Sequence, residues 1–355
     1  MAKNNDWGIG SIAVFESKGL SPYENLAIEK YIMTHLSEDE AVLYLWRNAD
    51  TVVIGRNQNC WRECRVSELL ADGGRIARRL SGGGAVYHDS GNLNFSFIAH
   101  DAHYDVTRQL EIIAAACRRF GIDASVSGRN DLLADGAKKF SGNAFFSLGG
   151  EGERVNCHHG CILIATDTAK IEKYLSVSKE KLQSKGVRSV RSRVVNLSAL
   201  SEEISADSLG AALVAELEAR AGMPARVLDI PLGEDEIRND TEFFASDEWL
   251  YGRKIDFTDR FGARFDWGEI ELCFEVSSGI VKECRVFSDC MDPALARAMG
   301  GSMEGVPFSA QELRRALDVA LAMLPSDSVM LGAFAKDDLS KTVADDVGKL
   351  LSENI

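Results

Sequence analysis

Arg78-Arg79-Leu80-Ser81-Gly82-Gly83-Gly84 sets two guanidinium groups beside three consecutive glycines. Glycines leave backbone N–H groups unshielded and tolerate positive φ, so a slender or anionic ligand can approach closely. The chain continues Ala85-Val86-Tyr87-His88-Asp89-Ser90-Gly91-Asn92-Leu93-Asn94, and Phe95-Ser96-Phe97-Ile98 then alternates as a strand does. A glycine turn between strands is the simplest account of three glycines alone. Arginines ahead and paired asparagines behind favour a loop that binds phosphate or carboxylate. No Gly-Lys-Ser/Thr closes the stretch, so it is not a P-loop, and it is not a dinucleotide fingerprint.

A second candidate is Ser127-Gly128-Arg129-Asn130-Asp131-Leu132-Leu133 followed by Gly136-Ala137-Lys138-Lys139-Phe140-Ser141-Gly142-Asn143-Ala144. Asp135-Gly136 predicts a hairpin turn. Adjacent strand residues point to opposite faces, so one lysine is solvated and the other can lie beside the glycine loop. Ser184 to Leu197 is a third, with Lys185, Arg188, Arg191 and Arg193 and no acidic residue, in a chain of formal charge −14. A solvated basic loop and a phosphate-ordering loop are both open. On the strand Asn156-Cys157-His158-His159-Gly160-Cys161, residues Cys157, His159 and Cys161 share one face. Zinc could bind there, although reduced thiols filling a sheet are the commoner outcome.

These groups need elements to hold them. The 355 residues suit two domains, with 45% hydrophobic and 26% charged residues. The acidic balance argues against general affinity for nucleic acid or anionic membranes. No apolar run reaches membrane-span length and the N-terminus has no signal-peptide core, so a cytoplasmic home is expected. Residues 11–17 read as a strand, and Ser21-Pro22-Tyr23-Glu24 as a helix start. Residues 42–46 and 52–55 read as paired strands with a tight turn at Arg47-Asn48-Ala49-Asp50. Helices are expected near 106–120 and 206–221, with a domain boundary between 225 and 250. Beyond it, 270–276 alternates, Ser277-Ser278-Gly279 turns the chain, and Ser309 with Glu312 caps a helix.

The pattern Arg-Arg-x-Ser-Gly-Gly-Gly-x-Val-x-His-Asp-x-Gly-Asn-x-Asn over 78–94 resembles the lipoyl-binding loop of lipoate–protein ligases. Asn25-Leu26-Ala27-Ile28-Glu29, Gly55-Arg56-Asn57-Gln58-Asn59, His159-Gly160 and the 185–197 segment are also similar to that family. So is Phe265-Asp266-Trp267-Gly268-Glu269-Ile270-Glu271-Leu272. Lys-x-Ser-Gly-x-Ala matches the family's catalytic-lysine motif and selects Lys139 over Lys138. The resemblance implies an α+β chain: a catalytic domain of the lipoate/biotin ligase fold (1–245) and a small C-terminal accessory domain (250–355).

It further implies that lipoate and ATP, with Mg²⁺, give lipoyl-AMP. The acyl group then passes to a lysine of apo-lipoyl domains (E2 subunits of 2-oxoacid dehydrogenases) or of the glycine-cleavage H protein. Lys139 would bridge the carboxylate and α-phosphate. Arg79, Ser81, Gly82, Gly83, Gly84, His88, Asn92, Asn94, Asn130, Asp131, Ser141 and His159 would form or border the substrate site. Lys185, Arg188, Arg191 and Arg193 would close over the nucleotide, and no side chain is assigned to a metal. Phe145-Phe146 stands where relatives often have arginine. Two rivals stay open: a lipoyl or octanoyl transferase working without ATP, and a non-catalytic lipoate-binding protein. The glycine-arginine signature of biotin ligases is absent.

Overall fold

The computed structural model describes residues 7–127, 131–136, 138–150, 153–176, 194–252, 257–324 and 336–355. The chain forms two compact units. The first comprises Met1–Val53, Cys64–Ala77 and Val86–Leu250; the second comprises Ile54–Glu63, Arg78–Ala85 and Tyr251–Ile355.

The strands of the earlier part of the chain are β1 (Ser11–Glu16), β2 (Glu40–Trp46), β3 (Thr51–Ile54), β4 (Arg75–Arg78), β5 (Val86–His88) and β6 (Asn92–His100). They continue with β7 (Ala124–Ser127), β8 (Asp131–Ala134), β9 (Lys138–Leu148), β10 (Val155–Leu163) and β11 (Arg226–Val227). Eight of them form one mixed sheet in the order β11-β1-β2-β6-β10-β9-β8-β7. One face packs on the helices Val106–Arg118 and Ala206–Ala221, burying Leu43, Leu45, Phe95, Phe97, Ile113, Ile162 and Leu213. The first of these helices starts at Asp105, which caps Arg108 N, and the second ends on left-handed Gly222.

The opposite face meets the helix Pro22–Thr34. Its start is as the sequence reads: Ser21 accepts from Glu24 N, and proline occupies the first turn. The Asn25 amide donates to Arg47 O and Asn48 Oδ1, and Tyr44 Oη donates to Asn25 Oδ1.

The expected pairing of residues 42–46 with 52–55 does not occur. Strand β2 already pairs with β1 on one edge and β6 on the other. No edge is left for β3, which pairs antiparallel with β5 in a separate sheet of order β4-β3-β5. The polar link at 47–50 is therefore a crossover between sheets. Asn48 is buried in it, held by Asn25 and His88. The Asp135-Gly136 hairpin does form, with φ of 52° and 66° at the two turn residues.

In the second unit, β12 (Asp259–Phe265), β13 (Gly268–Ser277) and β14 (Ile280–Ser288) make an antiparallel sheet. Ser278 and Gly279 turn the chain with φ of 54° and 74°. Ile270, Leu272 and Phe274 pack against Leu295, Met299, Leu313, Leu317, Val347 and Leu351 from three helices. Among the described residues, no helix is long and apolar enough to cross a membrane.

Candidate functional site

Lys139 is aimed by a β-bulge. In the β8–β9 ladder, Asp131 pairs with Gly142 and Leu132 with Ser141, but Leu133 pairs with Lys139. Phe140 is the extra residue, and its ring is buried in the core. Without that shift Lys139 and Gly142 would face opposite ways. With it, both share a face with Asp131, as bulges re-aim side chains. The Lys139 ammonium lies 2.7 Å from Asp131 Oδ1. It also passes 2.9 Å from where a Cβ on Gly142 would stand, so any side chain there must displace it. Lys138 is exposed.

From Gly142 a row of residues in register crosses the sheet. Asp131, Gly142, Cys161, Asn94 and Trp46 succeed one another over β8, β9, β10, β6 and β2. Register partners present side chains to the same face. Asn94 is fully buried, and neither its amide oxygen nor its nitrogen has a hydrogen-bond partner. Asn92, two residues earlier on that face, uses Oδ1 to accept from Asp89 N at 2.7 Å, while its Nδ2 is unpartnered. Leaving a buried polar group unsatisfied costs about 1–3 kcal/mol. Three such atoms on one sheet face mark a surface shaped for a polar ligand.

The next row along the sheet is Ala144, His159, Ser96 and Tyr44. His159 Nδ1 lies 2.8 Å from Glu29 Oε1. Ser96 donates to the same oxygen and accepts from Trp46 Nε1. Cys157 follows on this face; burial, then the Glu29 carboxylate, hold its thiol well above the ordinary range. Phe146 puts its ring 5.4 Å from His159.

Neighbouring His158 faces the other way. Its ring nitrogens lie 2.9 Å from Gln109 Oε1 and 3.0 Å from Asn143 Oδ1. Burial, then His159, push its pKa down to about 3. A neutral ring has one N–H and one lone pair, so one of the two amides must turn its NH₂ toward it.

His88 and Asn92 brace the loop after the glycines. His88 Nδ1 meets Asn48 Nδ2 at 3.2 Å, and Asp89 Oδ1 and Oδ2 accept from Gly91 N and Asp167 N. Ser141 lies on the other side of the sheet, paired with the core residues Leu132 and Ile162, and its hydroxyl is buried without a partner. Asn130, Lys185, Arg188, Arg191 and Arg193 lie outside the described residues.

The glycine loop belongs to the second unit. Gly83 N donates to Cys290 O, and a Cβ on Gly82 would stand 2.3 Å from that same oxygen. Gly83 has a φ of 84°. Arg79 donates to Ser81 Oγ and to Gly82 O and Gly84 O. Arg78 Nη1 staples the preceding turn through Gly55 O, Arg56 O and Gln58 O. Burial lowers the pKa of both Arg56 and Arg78 to about 10, with the neighbouring Arg297 and Arg78 adding to the effect at Arg56. In this structure the glycines thus serve close backbone packing, and the Arg79 bonds above go to its own loop.

All eight cysteines are buried, and no two are joined in a disulfide. The residues that sequence reasoning missed are Gly142 as the seat of the ammonium, Trp46 and Ser96. Period-two alternation could have placed Trp46 and Ser96 only with the strand pairing known.

The chain matches the family model described as lipoyl protein ligase A/B catalytic domain over residues 21–218, and bacterial lipoate protein ligase C-terminus over 254–327. It is similar to the crystal structure of P. falciparum LipL1 in complex with lipoate, at 26% identity and a TM-score of 0.79, covering 97% of this chain and 100% of that one. It is also similar to a bipartite lipoate protein ligase from Thermoplasma acidophilum, studied with its E2 lipoyl domain (25% identity, TM-score 0.58, 71% and 99% covered). A third likeness is to lipoate-protein ligase A bound with ATP (25% identity, TM-score 0.57, 69% and 99% covered).

Proposed function

The chain belongs to the lipoyl protein ligase A/B catalytic-domain family, and on that premise we propose that it is an ATP-dependent lipoate–protein ligase. Lipoate and ATP give lipoyl-AMP and pyrophosphate; an acceptor lysine then displaces AMP to form the amide. The observation that carries this reading is the Lys139 ammonium on the same sheet face as the unpartnered, fully buried Asn94 amide.

An ammonium freed from Asp131 offsets the carboxylate's charge, and later the charge that gathers on the acyl oxygen as the amine attacks. Asn94 has donor and acceptor capacity for a polar atom of the acyl group, and Asn92 has a donor. Lys139 is a poor nucleophile for this task, because a lysine amide could not be discharged onto a second amine. The donor set fits an anionic substrate and the phosphates of ATP, as the ATP-bound relative suggests. Among the described residues, the grouping with metal-ligand spacing is Glu29, Cys157 and His159, whose thiol and imidazole do not suit Mg²⁺. Any Mg²⁺ would ride on the phosphates. We take the acceptor to be a lipoyl domain, the partner studied with the archaeal relative, or the glycine-cleavage H protein, with turnover in the cytoplasm.

One observation favours a second reading, acyl transfer without ATP. The Cys161 thiol sits in register between Gly142 and Asn94, where it could carry the acyl group as a thioester. Omitting ATP and testing Cys161→Ser separates the two. The ligase keeps working in Cys161→Ser and stops without ATP. A thiol-dependent transferase does the reverse with an acylated donor.

A further inference from the structure

Cys157 and His159 are two residues apart on β10 and share a face; Glu29 reaches them from the helix Pro22–Thr34. The carboxylate oxygen, the thiol sulfur and an imidazole nitrogen all lie within 4.8 Å of one another, and all three residues are buried. We propose that Glu29, Cys157 and His159 form a binding site for a soft divalent cation of the zinc class. This goes beyond the ligase reading and does not rest on it.

The donor chemistry selects the ion. One thiolate, one imidazole and one carboxylate suit zinc, and none of the hard oxygen-loving cations accepts the sulfur. Charge also balances: a dication, a carboxylate and a thiolate around a neutral imidazole sum to zero, which is the condition for burying ions in a sheet. Binding expels the thiol proton and replaces the hydrogen bond between Glu29 and His159 with two bonds to the metal. The donors must close on bond lengths of about 2.0–2.3 Å, which small side-chain rotations from the present spacing allow.

The surroundings orient the ligands as outer-shell groups do in metal sites. Ser96 Oγ donates to Glu29 Oε1 and is itself fixed by Trp46 Nε1. The Phe146 ring shields His159. Spacing along the strand groups Cys161 with Cys157 and His159, but four residues of extended chain carry it about 13 Å from Cys157. The structure puts Glu29 in its place. Three protein ligands leave a fourth position open on the ion.

The test uses the full chain, stripped with a chelator and titrated with Co²⁺ as a spectroscopic stand-in for zinc. One equivalent should bring up thiolate-to-cobalt absorption in the near ultraviolet, and Zn²⁺ should bleach it. Cys157→Ala and Glu29→Gln should both lose that absorption, the latter while keeping the thiol. Ser96→Ala should weaken zinc affinity about tenfold. A wild-type chain with no cobalt–thiolate absorption overturns the proposal without recourse to any variant. So does absorption that persists in both variants, which would place the metal on another cysteine. Because no lipoate, ATP or acceptor is present, either outcome leaves the ligase assignment to its own assay.

Discussion

At the scale of single residues, Lys139 and Gly142 act as a pair. Replacing Lys139 with alanine should lower acyl transfer by about 10²–10³-fold, the usual cost of removing one preorganised charge-stabilising donor. The fold should hardly change. The ion pair with Asp131 is over a third exposed at both ends and contributes under about 1 kcal/mol. Thermal unfolding and steady-state rates, measured together, separate these effects. Gly142→Ala is the subtler variant: its backbone is not in the left-handed region, so the chain accepts a Cβ, but that Cβ displaces the ammonium. Activity should fall while the melting temperature holds. A variant that unfolds, or one that works normally, would contradict the geometry.

Only part of this pair is legible in the sequence. The motif picks Lys139 from Lys138, and alternation says the two diverge. The bulge at Phe140 is invisible, because its cause is a large ring drawn into the core from a position that plain alternation assigns to the face away from it. Glu29 and His159 meet across 130 positions of sequence. No local pattern reports such a contact.

At the scale of elements, β10 presents different chemistry on its two faces, and His158 couples the core face to pH. Its folded pKa of about 3 lies below the ordinary histidine value of 6.5. A depressed pKa means that the unfolded chain takes up the proton first. The stability this group confers is therefore complete above about pH 6.5 and is lost as pH falls toward 3. The slope approaches about 1.4 kcal/mol per pH unit for one proton. Denaturant unfolding at several pH values should show this dependence, and His158→Gln should flatten it. Equal slopes in the two chains would mean that His158 is protonated in the fold.

The failed hairpin between residues 42–46 and 52–55 belongs to this scale too. Both runs were legible as strands. Their partners were not, because pairing depends on which edges β1 and β6 have already taken. Capped helices and glycine turns read well, since their causes lie within a few residues of each other.

At the scale of the whole molecule, the later part of the second unit begins at Tyr251, beside the change in sequence texture, but two much earlier segments belong to the same unit. Residues 54–63 and 78–85 precede residue 225 by more than a hundred positions, yet they cluster with 251–355. Gly83 N binds Cys290 O, Asn57 Nδ2 binds Pro293 O, and Arg62 pairs with Glu269. A fragment ending at 250 should therefore keep its eight-stranded sheet but lose amide protection at 54–63 and 78–85. Hydrogen exchange on the fragment and the full chain checks this directly. Gly82→Ala should destabilise the second unit in the intact chain, since its Cβ collides with two backbone carbonyls. Protection at 54–63 that survives the truncation would contradict this division.

The central claim is that this chain activates lipoate with ATP and uses Lys139 to do so. Its most direct test incubates a purified apo-lipoyl domain with lipoate and the full-length chain, with and without ATP, and reads the domain's intact mass. The prediction is a lipoyl mass increment that needs ATP and disappears in Lys139→Ala. An increment that forms without ATP, or persists undiminished in Lys139→Ala, would contradict the account.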